Sequence, residues 1–116
     1  VTTVLLVGGD LMAKSRLLDA SSRNGVTLES STAGDFRARL RDTRPSIVVI
    51  DLDQGREAAL EELLAARDDD ALPARVVGYY SHIDRALGEA AAEAGCEPWP
   101  RGKFWGNLEQ LLQPQS

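Results

Sequence analysis

The chain has 116 residues, 43% of them hydrophobic, and a formal net charge of −5, which suits one domain with its own core and is too short for two. The acidic balance argues against general nucleic-acid binding, which rests on basic patches that neutralise phosphates. The single Cys96 excludes an internal disulfide and any cysteine-cluster metal site. No apolar stretch approaches the ~20 residues needed to span a bilayer. The run Val4 to Val7 lacks the basic flank of a signal peptide, so a cytoplasmic location without a membrane partner is expected.

Short β-branched runs alternate with amphipathic segments, the signature of a βαβ series. The first strand covers Thr3 to Val7, apolar on both faces as in a parallel sheet covered on both sides, and ends in Gly8-Gly9-Asp10. A helix follows from about Leu11 to Arg23, with Asp10 as its N-cap and Asn24-Gly25 as a left-handed stop. Val26 to Ser30 reads as a second strand whose polar alternation suits an exposed edge. Asp35 to Arg41 predicts a short helix ended by the Arg44-Pro45 step. Ser46 to Asp51 is a third, buried strand. Glu57 to Arg67 is rich in strong helix formers. Asp68-Asp69-Asp70 beyond it belongs to a solvated loop, because acids are unfavourable at a helix C-terminus. Arg75 to Tyr80 gives a fourth strand, and Ile83 to Ala94 a fourth helix stopped by Gly95. Cys96 to Trp99 gives a short fifth strand that Pro98 assigns to an edge. A last helix runs from about Phe104 to Leu112, and the tail from Gln113 is expected to be unstructured. With no repeat and no linker, residues 1–116 read as a single domain.

Asp51 is the leading candidate for function, because open α/β sheets place their chemistry at the carboxyl ends of strands. Gly8-Gly9 reads as a tight turn, since neither dinucleotide nor P-loop glycine pattern accompanies it. Ser81-His82-Ile83-Asp84 suggests a nucleophile and base, yet adjacent residues in an extended segment do not readily bond side chain to side chain, and no strained elbow surrounds them. Ser81 or His82 is expected instead at the cap of the fourth helix, with Asp84 in its first turn. His82 is the only histidine, so it makes no metal site. Leu87, Ala90 and Ala91 have the helical spacing of core residues. Tyr79, Tyr80, Trp99, Phe104 and Trp105 concentrate the aromatic content in the last third.

Four landmarks recur in a fixed order: Val4-Leu5-Leu6-Val7 before a polar turn, Ala33-Gly34 before the second helix, Pro45 to Leu52 around Asp51, and Ala94-Gly95-Cys96 before the fifth strand. In that order and spacing the chain resembles the response-regulator receiver family of two-component signalling over nearly its whole length. The resemblance implies a doubly wound, flavodoxin-like α/β fold, a three-layer sandwich with a five-stranded parallel sheet in order 2-1-3-4-5. It makes Asp51 the phosphoacceptor, a carboxylate nucleophile that attacks a phosphoryl donor held by Mg²⁺. The family's two metal-binding acids after the first strand correspond to Gly8 and Gly9, with Asp10 next. Its hydroxyl at the end of the fourth strand falls on Tyr80, one step before Ser81. Its lysine after the fifth strand falls on Gly102, between Arg101 and Lys103. The proline that follows that lysine in the family is missing, and Pro100 precedes it.

The expectation is therefore an atypical, pseudo-receiver signalling module, not an enzyme, with phosphorylation-dependent switching degraded or lost. It would bind a histidine kinase or a downstream signalling protein through Tyr80, Trp99, Arg101 and Trp105, on the face of the fourth helix, fifth strand and fifth helix, where a homodimer would also form. One alternative is a working phosphoacceptor in which Asp10, Asp51 and the backbone carbonyl of Asp53 hold Mg²⁺ while Ser81 and Lys103 contact the phosphate. Another is a small anion- or ligand-binding domain using Gly8-Gly9 and Ser81, which a deep pocket would support.

Overall fold

In the computed structural model, which describes residues 2–54, 56–73, 75–81 and 84–113, five parallel strands run through the middle of the molecule. They are β1 (Thr3–Val7), β2 (Thr27–Ser31), β3 (Ile47–Asp51), β4 (Arg75–Tyr80) and β5 (Glu97–Pro100), in spatial order β2-β1-β3-β4-β5. Six helices connect or follow them: α1 (Leu11–Arg23), α2 (Phe36–Thr43), α3 (Arg56–Asp68), α4 (Arg85–Glu93), α5 (Arg101–Gly106) and α6 (Leu108–Leu111). The expected doubly wound sheet is present. Because side chains alternate along a strand, each central strand feeds two cores. Leu5, Val48, Ile50 and Val76 pack with Phe36, Leu63 and Leu87 on the side of α2, α3 and α4. Val4, Leu6, Val49, Val77 and Tyr79 pack with Leu17, Phe104 and Leu112 on the side of α1, α5 and α6. No helix among the described residues is long and apolar enough to cross a membrane.

Strands β2, β3 and β5 begin one residue later than expected, and for β2 and β5 the reason is the same. The N–H of Val26 donates to Ser21 O at 3.0 Å, and that of Cys96 to Ala91 O at 3.0 Å. Each closes the preceding helix after a left-handed glycine, Gly25 at φ 68° and Gly95 at φ 95°, so the amide serves the helix end before the ladder starts. Ala71 repeats the bond to Ala66 O after Asp70, whose φ of 54° lets it take the glycine's place.

The fourth helix is capped by Asp84, whose carboxylate accepts from Leu87 N at 3.1 Å and from Arg56. Asp84 was expected inside the first turn, with Ser81 or His82 at the cap. The chain turns before the helix begins, Asp84 N donating to Ser81 O at 3.0 Å, so the cap falls on Asp84 and not on Ser81. His82, Ile83 and tail residues 114–116 lie outside the described residues. The last helix begins at Arg101 rather than Phe104, because Pro100 (φ −55°) presets a helix entry, and it breaks at Asn107 into α5 and α6.

The two sheet edges differ. At one, β5 carries Pro98 and Pro100, two residues apart and so on the same side of the strand, both without an N–H. At the other, β2 has no proline.

Candidate functional site

Asp51 ends β3 at the carboxyl edge of the sheet and is only 4% exposed. A buried carboxylate needs partners, and the chain supplies them from two places. Just beyond β3, the N–H groups of Asp53 and Gln54 donate to Asp51 Oδ1 at 3.1 and 3.3 Å. From the start of α5, Arg101 Nη2 reaches the two carboxylate oxygens at 3.4 and 3.5 Å. The same guanidinium donates through Nε to Asp53 Oδ2 at 2.9 Å. The other oxygen of Asp53 accepts from Ser81 N at 3.1 Å. Asp53 thus braces the loop after β3 against the exit of β4, and Arg101 joins both acids into one cluster.

Burial is the largest influence on Asp51 and raises its pKa above the usual 3.8, while the Arg101 charge and the two backbone donors pull it down. Arg101 lies 5.0 Å from the centroid of the Tyr79 ring, a cation–π contact that holds the guanidinium in place. Tyr79 is fully buried, stacked on Phe104 at 4.7 Å and close to Trp105 at 5.4 Å. Its hydroxyl has no hydrogen-bond partner among the described residues. Burial first, and the negative field of Asp51 second, push its pKa up.

The turn after β1 is built for close approach. Gly8 and Gly9 have φ of 76° and 86°, a left-handed region that favours glycine. A Cβ on Gly8 would stand 3.0 Å from Gln54 Oε1, and one on Gly9 3.3 Å from Leu6 Cδ2. An acid at either position would be strained in this backbone and crowded by its neighbours. Asp10 does not compensate, because its carboxylate is turned to Ala13 N at 2.8 Å, capping α1. Among the described residues, no three His, Cys, Asp or Glu side chains come together to hold a metal ion. Of the expected set, the Asp10 carboxylate faces its own helix, and the Asp51 carboxylate, which was to join the Asp53 backbone carbonyl around a metal, has Arg101 beside it.

The remaining candidates disperse. Ser81 contributes its backbone N–H to the cluster. Lys103 is exposed and sits two residues after Arg101, roughly 200° around the helix, so the two cations cannot face the pocket together. Arg101, expected at an interface rim, reaches Asp51 and Asp53 while its side chain stays 42% exposed. Tyr80 packs against the α4 side, where its hydroxyl would lie 2.7 Å from a Cβ on Gly88. Trp99 packs against the opposite core, so these two aromatics stand on different faces of the sheet. Trp105 is half-buried, with Arg16 stacked 4.6 Å from its ring centroid.

No protein-family model matches the chain, and no curated protein matches it. Solved structures do. FixJ-N superposes with a TM-score of 0.72 at 22% identity, covering 86% of this chain and 80% of that one. The response regulator domain of Thermotoga maritima CheB gives 0.75 at 15%, covering 97% and 93%. A response regulator protein from Burkholderia multivorans gives 0.71 at 19%, covering 100% and 98%. These likenesses establish the receiver fold.

Proposed function

We propose that this domain is a receiver-like signalling module that works by docking a protein partner and has lost metal-supported phosphorylation of Asp51. Its partner would be a histidine kinase or a downstream signalling protein, and its setting the cytoplasm. The observation that carries the reading is the guanidinium of Arg101 beside Asp51 and Asp53. Phosphoryl transfer to a carboxylate needs positive charge on the transferring oxygens, commonly Mg²⁺ held by one or two carboxylates. Here the residues do not fit that ion. A cation of the chain itself neutralises the acids, and the turn after β1 offers glycines in place of acids. Tyr80, Trp99 and Trp105 remain as docking candidates, with Arg101 now assigned to the pocket. As Tyr80 and Trp99 back onto opposite faces, a partner would grip the β5 edge from both sides.

Mass spectrometry of the protein after incubation with acetyl phosphate and Mg²⁺, beside an Asp51→Asn control, tests this. The expected result is no phosphate-sized gain in either sample. A gain confined to the wild type would overturn the reading and establish a working phosphoacceptor.

A further inference from the structure

The cavity beside Asp51 extends well beyond the Arg101 cluster. It measures about 430 Å³ and crosses the carboxyl ends of β1, β2 and β3. That is within the roughly 300–1,000 Å³ of small-molecule sites. It also lies where the strand order reverses, the place where doubly wound sheets take ligands.

Its lining combines groups that no single simple ion satisfies. Lys14 faces it and enters no ion pair with a described residue. Arg39 also faces it, paired at 2.9 Å with Glu29. Ser30, Ser31 and Thr32 at the end of β2 line it; the Ser31 hydroxyl donates to Thr32 O, while those of Ser30 and of Thr32, which accepts from Asp35 N, can still donate. Gly8 and Gly9 add backbone alone to the lining, with the Gln54 side chain beside Gly8. Against these donors stand two carboxylates, Asp35 and Asp51. Asp51 is already met by Arg101 and two backbone amides, so a bare anion would meet Lys14 but be repelled by Asp35. A neutral polyol would give the acids hydroxyl donors and leave the lysine charge unused. A ligand carrying both features satisfies every group, since a carboxylate only accepts and an ammonium only donates.

We propose that this cavity binds a small polyol bearing one anionic group, either a sugar phosphate or a sugar acid. Lys14 takes the anion, and the acids with the β2 hydroxyls take the ligand's hydroxyls. The site deepens the expectation of a ligand pocket at Gly8-Gly9, with the end of β2 in the role once given to Ser81. It stands apart from the phosphorylation question, because this binding is reversible and leaves no mass change.

Amide NMR titrations of the whole chain at low salt test it, using ribose 5-phosphate and gluconate as probes. Saturating shifts confined to Gly8, Gly9 and residues 30–33 are expected with one of the two. Whichever saturates at the lower concentration identifies the anionic group. Ribose and inorganic phosphate, each with half the required chemistry, should bind at least about tenfold more weakly. Lys14→Gln, at an exposed position, should weaken binding by about tenfold, the scale of one charge-assisted hydrogen bond. Lys103→Gln, the same loss of charge outside the cavity, should leave it unchanged. Shifts that fail to saturate, that scatter over the surface, or that survive Lys14→Gln undiminished would overturn the assignment.

Discussion

Asp51 is a charge held where solvent barely reaches, and its behaviour with pH follows from that. Burial raises its folded-state pKa above the unfolded value, and Arg101 only moderates the rise. The native state therefore keeps the proton longer than the unfolded chain. The effect on stability is absent at acid pH below the unfolded value, and stability declines as pH climbs through the folded pKa. Asp51→Asn, which keeps an oxygen for the Asp53 and Gln54 amides, should be more stable than the wild type near neutral pH and gain nothing at acid pH. Urea denaturation at the two pH values measures this. A variant less stable at neutral pH would mean that the Arg101 pairing outweighs burial. Carbon NMR of the Asp51 carboxyl should also show its midpoint rising further in Arg101→Gln. The position of Asp51 was legible in the sequence, since a buried run ending in a carboxylate announces itself. Its partner was not. Fifty residues separate Asp51 from Arg101, and no local pattern distinguishes Arg101 from nearby Lys103. The available signal was Pro100: a helix starting directly after it turns residues 101 and 103 to different sides.

At the level of the elements, β4 is crowded at Gly78 by Leu52, just after β3, and by Cys96, just before β5. A Cβ there would lie 2.7 Å from Leu52 Cδ1 and 2.8 Å from Cys96 Sγ, closer than packed atoms come. Gly78→Ala should therefore cost about 2 kcal/mol, in the range of overpacked cores, read as a lowered urea midpoint. Cys96→Ala opens space on one side, so in that background the Gly78→Ala cost should shrink by at least about 0.5 kcal/mol, the coupling typical of touching residues. An unchanged cost would show that Leu52 alone carries the strain. The helices and strands themselves were largely readable, because Asp10, Asn24-Gly25, Pro45 and Gly95 punctuate them. The late starts of β2 and β5 were not, since composition does not say whether Val26 and Cys96 give their amides to the helix behind or to the strand ahead.

Across the whole molecule, the two apolar layers are not independent. Val4 and Leu5, Val48 and Val49, and Val76 and Val77 send successive side chains to opposite cores. Loosening one layer frees the strands that order the other. We expect residues 1–116 to melt as one domain in a single calorimetric transition whose calorimetric and van't Hoff enthalpies agree. Two resolvable transitions would mean that the layers are separate cooperative units.

The asymmetry of the sheet's edges has a consequence for assembly. A strand pairs with an edge through N–H and C=O groups, and the row offered by β5 is interrupted at Pro98 and Pro100. Of the two described edges, β2 is the one without a proline to interrupt an added strand. Two copies joined through β2 would each present a proline-blocked margin to the outside, where no third copy finds a ladder to extend. Edge pairing through β2 would then end at a closed pair and not propagate into a fibre.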